Sequence, residues 1–196
     1  MVITRAVLLR SRAGSSAAAT CLELCAGMAV DTRLSIGGDS DVELSTLTLR
    51  SPEGWATSTF QLVPGPLIDI KTGRVVVQHC VLEHAGQKCA LSVREAACGV
   101  LVKNSFNATV EINGMGSLEG NDISNCSGIG LSVTGGQKDP ASGETMLTTV
   151  SGNKITSCGG YGAWFRRRAN VAFLNNTVKH CAADAVCAED VGTTVT

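Results

Sequence analysis

Three cysteines recur in one local context. Cys126, Cys158 and Cys181 each close the pattern Asn-x-(Ile/Val)-x-x-Cys, in the segments NDISNCSGIG, NKITSCGGYG and NTVKHCAADA that begin at Asn121, Asn153 and Asn176. Thiols at a repeated position can serve as metal ligands or redox partners. The chain has no C-x-x-C spacing, and side chains stacked on adjacent strands sit about 4.8 Å apart against the roughly 3.8 Å between Cβ atoms that a disulfide prefers. The expectation is therefore an internal ladder of small apolar thiols, buried and reduced. Asn121, Asn153 and Asn176 read as a second ladder, their amides bonding turn backbone and one another.

The histidines are His79, His84 and His180. His79 and His84 lack the i, i+4 spacing of a helical metal pair, and His180 beside Cys181 would face the opposite side of a strand. The acids are scattered: Asp39, Asp41 and Glu43, then Glu119 and Asp122, then Glu189 and Asp190. Phosphate-binding, nucleophile-elbow and dinucleotide motifs are absent. No catalytic residue, metal ligand or cofactor is assigned.

The run Trp164-Phe165-Arg166-Arg167-Arg168 is different in kind. Alternation predicts Ala163 and Phe165 inward, with Tyr161, Ile129, Leu131 and Val133, and Trp164 outward beside three arginines. Trp and Arg are the residues most enriched at binding hot spots. Trp164, Arg166, Arg167 and Arg168 are the candidate binding residues.

The elements that position these residues follow from the repeat. The Asn-x-Ile segments are each followed by a short strand, LSV, AWF or VCA, and the stretch HCVLEHAGQKCALSV from His79 matches more loosely. Start points at 79, 121, 153 and 176 give a unit of 21–23 residues, with an insert over 134–145 lengthening one unit. Period-2 alternation over very short runs predicts strands, and no segment holds a helical period. Three short strands per unit make one coil of a right-handed parallel β-helix, so the expected fold is all-β: one solenoid domain over 1–196 with about seven coils. Repeats are clear over 79–190, looser over 1–78, and the stretch PEGWATSTFQLVPGP reads as an excursion.

This pattern resembles the parallel β-helix repeat of the pectate-lyase-like superfamily, most closely the NosD-like and F-box-associated β-helix modules. The resemblance implies the fold; the superfamily includes lyases, hydrolases and binding modules. Lyases of this kind pair an acidic Ca²⁺ cluster with an Arg or Lys base, and the hydrolases pair aspartates on neighbouring coils. The lyase R-x-P-x-x-R and the hydrolase N-T-D, D-D, H-G and R-I-K motifs are missing here. The expected function is a non-catalytic scaffold or recognition module for a protein partner; the alternative is a carbohydrate-active enzyme or sugar binder.

Composition narrows the remainder. A chain that is 44% hydrophobic with 22 Gly can bury a core and is not disordered. A net charge of −1 offers no footprint for nucleic acid or an anionic membrane. Nine cysteines without a secretory signal suggest reduced thiols in the cytoplasm. The Arg- and Ser-rich start keeps a mitochondrial location as the alternative.

Overall fold

A computed structural model of the chain describes residues 65–84, 89–135, 138, 143 and 145–189, with strand segments at 2–3, 9–10, 20–23, 34–36, 42–50 and 194–195. Asp39, Asp41, Asp190, most of the 134–145 insert and nearly all of the expected excursion lie outside these residues. The described residues form strands and no helix, and their parallel sheets curl into a half-barrel.

Pairing sorts the strands into three stacks. The first runs through Leu34–Ile36, the beginnings of the long strands Ile68–Gln78 and Leu91–Val102, then Val110–Ile112, Leu131–Thr134, Ala163–Arg166 and Val186–Ala188. The second runs through Val42–Ser45, the ends of the same long strands, Met115–Glu119, Leu147–Ser151, Asn170–Leu174 and Thr194–Val195. The third holds Thr20–Glu23, Leu47–Arg50, Val81–Glu83, Ser105–Phe106, Asp122–Ser124, Lys154–Thr156 and Thr177–Lys179. All these pairings are parallel, and the sequence visits the stacks in rotation.

Parallel registry places like upon like. Leu82, Phe106, Ile123 and Ile155 form one inward column with 0% exposure, and Val93, Ile112, Val133 and Phe165 form another at 1% or less. Each such side chain contributes about 1.5–3 kcal/mol on burial. Phe165 meets Phe173 edge-on at 5.4 Å, joining the first stack to the second.

The corners between stacks use left-handed backbone. Thr46, His79, Lys103, Gly120, Gly152 and Asn175 all have positive φ where the third stack is entered, and Asn125, Ser157 and His180 have it where that stack is left. Residues other than glycine hold this conformation at a cost of roughly 1–2 kcal/mol. Hydrogen bonds from one corner to the next fix them: His79 N–H to Val102 O, Lys103 N–H to Glu119 O, Gly120 N–H to Ser151 O and Gly152 N–H to Leu174 O.

The repeat differs from the sequence reading in three ways. Asn104 belongs to the asparagine ladder, and the partner below it is Cys80, with His79 at the corner. Successive positions along Cys80, Asn104, Asn121, Asn153 and Asn176 are 24, 17, 32 and 23 residues apart; the insert over 134–145 accounts for the 32, and the 17 falls short of 21–23 mainly because the link from Asn104 to Val110 is shorter than that from Asn121 to Leu131. Ile129 and Tyr161 are half-buried rather than inward; the chain bends at Gly130 and Gly162, and those buried glycines take the inner position.

Candidate functional site

The aromatic–arginine face is built on the strand Ala163–Arg166. Its burial alternates, so Ala163 and Phe165 anchor it in the core while Trp164 and Arg166 project outward, both half-buried. Ser132 lies in register below Trp164, and Cys187 above it. The Tyr161 ring lies 5.8 Å from that of Trp164, tilted by 35°. The Arg166 guanidinium carbon sits 4.3 Å from the Trp164 ring centroid, a cation–π contact worth about 0.5–1 kcal/mol at an exposed position. Arg166 Nε–H also donates to Thr134 Oγ1 at 3.3 Å. The guanidinium is thereby held over the indole. The Trp164 indole N–H is enclosed without a hydrogen-bond partner, a cost of about 1–3 kcal/mol.

Arg167 and Arg168 stand apart from this pair. Both are exposed and both have left-handed backbone, at φ 55° and 57°, in the corner leading to Asn170–Leu174. That corner is tight, because a Cβ on Gly135 would run into the backbone of Arg168 and Ala169. Arg166 belongs to the face, whereas Arg167 and Arg168 turn the chain. Tyr161 completes the face, which the sequence reading missed because Gly162 interrupts the alternation.

The thiol and amide ladders take the expected places with one exception. Cys126 and Cys158 are buried, whereas Cys181 is half-buried. Contact with Cys158 and burial push the Cys126 thiol well above its ordinary pKa, so it is a poor nucleophile. The asparagine ladder runs in one direction. The backbone and side-chain N–H groups of Asn104 donate to Asn121 Oδ1, those of Asn121 to Asn153 Oδ1, and those of Asn153 to Asn176 Oδ1, at 2.8–3.0 Å. His84 is fully buried with Nε2 3.2 Å from Gly65 O, and burial lowers its pKa.

A second polar centre was not foreseen. Outward positions of the first stack bring Asp69, Ser92 and Glu111 into one row. Arg94 holds Asp69 with two bonds, Nε–H to Oδ1 at 2.7 Å and Nη2–H to Oδ2 at 3.3 Å. A β-bulge sets one residue, Lys71, against two, Arg94 and Glu95, and opens a shallow groove of about 390 Å³ lined by Lys71, Arg94, Glu95, Ala96 and Asn113. Asp69 and Glu111 are one strand removed from each other, but the Asp69 side chain is only 2% exposed and bonded to Arg94. This pair therefore does not present two water-accessible carboxylates to a substrate. Among the described residues no group of three His, Cys, Asp or Glu is placed to hold a metal ion. Among the described residues no helix is long and apolar enough to cross a membrane.

Searches against family models, curated proteins and solved structures match nothing to this chain.

Proposed function

We propose that the chain is a right-handed parallel β-helix of the pectate-lyase-like kind, serving as a rigid, non-catalytic recognition module for a protein partner. Three parallel stacks with recurring inward residues support the architecture. The observation that carries the function is the Arg166 guanidinium stacked 4.3 Å from the Trp164 ring on a core-anchored strand. Such a pair is already ordered, so a partner that covers it loses little side-chain entropy. Tyr, Trp and Arg together are the composition of a binding hot spot.

The test compares wild type with Trp164→Ala and Arg166→Ala in capture of a binding protein and in its affinity. Truncation at Trp164 should weaken binding about tenfold or more. The melting temperature should stay within about 4 °C of wild type, since half-exposed side chains contribute little to folding. Unchanged affinity, or a variant that unfolds, would remove the face from consideration. The same aromatic pair could stack on a sugar ring, and a Trp164 fluorescence change on adding oligosaccharides would favour that second reading.

A further inference from the structure

Two arginines share one outward row of the first stack, and only one of them is given an acid by the chain. Register carries this row from Arg94 through Asn113 and Thr134 to Arg166. Asp69 lies on the neighbouring strand Ile68–Gln78, in register with Ser92, two residues ahead of Arg94. Its carboxylate accepts Nε–H at 2.7 Å and Nη2–H at 3.3 Å from that arginine. On the neighbouring strand Leu131–Thr134, the residue in register with Trp164, two residues ahead of Arg166, is Ser132. Both places are outward and buried, Asp69 at 1% and Ser132 at 4% exposure. The position that supplies Arg94 with a carboxylate supplies Arg166 with a hydroxyl.

Arg166 is therefore held in place without being neutralised. Its Nε–H is spent on Thr134 Oγ1, and its guanidinium carbon rests 4.3 Å from the centre of the Trp164 ring. Among the described residues no acceptor takes its Nη N–H groups. The chain does bring one carboxylate near. Glu189 follows Ala188, which pairs with Phe165, so it stands one strand beyond Arg166. Its backbone N–H donates to Phe165 O, and its carboxylate accepts from Cys187 Sγ at 3.9 Å rather than from the arginine.

The chemistry that fits this fork is narrow. Two Nη N–H groups on one edge of a guanidinium match the two oxygens of a carboxylate, and a lysine cannot reproduce that pairing. A single positive charge also balances a carboxylate better than a phosphate, which carries nearly two negative charges and favours a cluster of arginines. Arg167 and Arg168 do not complete such a cluster, because their left-handed backbone turns them into the next corner. Stacking on Trp164 removes water from one side of the cation, which strengthens the bonds left to it.

We infer that the Trp164 face binds an acidic segment of its protein partner, with one Asp or Glu side chain closing on the Nη edge of Arg166. The partner supplies from outside the charge that Asp69 supplies to Arg94 from within. This inference rests on the recognition face proposed above and adds the chemistry of what that face recognises. Thr134 is a positioning residue for the site, since its hydroxyl holds Nε and leaves the Nη edge for the ligand.

The probe is the capped peptide acetyl-Gly-Leu-Glu-Leu-Gly-amide and its glutamine form, titrated into ¹⁵N-labelled protein while the Trp164 indole and Arg166 side-chain signals are followed. The glutamate form should bind about tenfold more tightly than the glutamine form, and the advantage should shrink as salt is raised. Arg166→Lys keeps the charge without the fork and should erase the preference, whereas Arg167→Lys should preserve it. Ser132→Asp places an acid where Arg94 has one and should also erase it. Equal binding of the two peptides to wild type, equal effects at 166 and 167, or tighter binding of a phosphoserine form would overturn the inference. A gain of more than tenfold on Glu189→Gln would do the same, by giving the fork to the chain's own carboxylate. A captured partner that needs Trp164 but tolerates Arg166→Lys would leave the face standing and refute its preference for acid. Indifference to Trp164→Ala as well would remove the face itself.

Discussion

The turns that begin at Asn153 and Asn176 carry the same motif and live in different solvents. In the first, Asn153, Ile155 and Cys158 are all buried; in the second, the matching Asn176, Val178 and Cys181 are only half-buried. A motif in a stacked fold sets which side chains face inward, but neighbouring turns set how much that is worth. Burial of Ile155 needs turns on both sides of it; Val178 has a described neighbour on one side only. The energetic weight of a repeat position is thus a property of its place in the stack.

The largest test of this contrast is a buried charge. Ile155→Asp should lose roughly 4–5 kcal/mol, a large part of a typical domain's stability, while Val178→Asp should cost about 1 kcal/mol because water reaches the carboxylate. Chemical denaturation of both variants measures the difference, and equal losses would break the comparison.

Corner glycines give the next effect. Gly162→Val drives side-chain atoms into Val178 and the Ala185 carbonyl, and overpacking of this kind costs about 1–3 kcal/mol. Ala185→Val, at the equivalent and exposed corner, should stay within about 0.5 kcal/mol of wild type by the same measurement.

Amide truncation sharpens the contrast at smaller scale. Asn121→Ala strands the N–H groups of Asn104 in a dry interior and should cost about 2 kcal/mol; Asn176→Ala, where water can enter, should cost about 1 kcal/mol. Calorimetric melting of the two variants should rank them in that order.

His84 gives the smallest expected effect and concerns the interior alone. Its folded pKa is depressed by burial, so the unfolded chain binds a proton that the folded chain refuses. Stability from this group is complete above the unfolded pKa of about 6.5 and declines as pH falls from there towards the folded value. Melting temperatures recorded between pH 7.5 and 5.5 should fall, and His84→Gln should flatten that part of the curve.

Much of the third stack was legible in the chain itself. Asn-x-Ile-x-x-Cys recurs because parallel registry stacks each side chain on a copy of itself, so a residue that packs in one turn packs in the next. Asn104 escaped notice because its link to Val110 is shorter and carries Phe106 in place of Ile and no cysteine. Tyr161 was misplaced because the bend at Gly162 reverses the parity of the alternation. The Asp69–Arg94 pair spans 25 residues and depends on a bulge, and nothing local announces either.

The amino-acid sequence by itself determined the strand period, the inward identities at Leu131, Val133, Ala163 and Phe165, and the two ladders, because these follow from alternation and repetition along one chain. Tertiary structure alone decided that Asn104 joins the amide ladder, that Arg166 rather than Arg167 or Arg168 covers Trp164, and that Asp69 is paired with Arg94. Each of these depends on a neighbour contributed by another turn or on the path of a corner, and the path is set by hydrogen bonds between turns that no local pattern encodes.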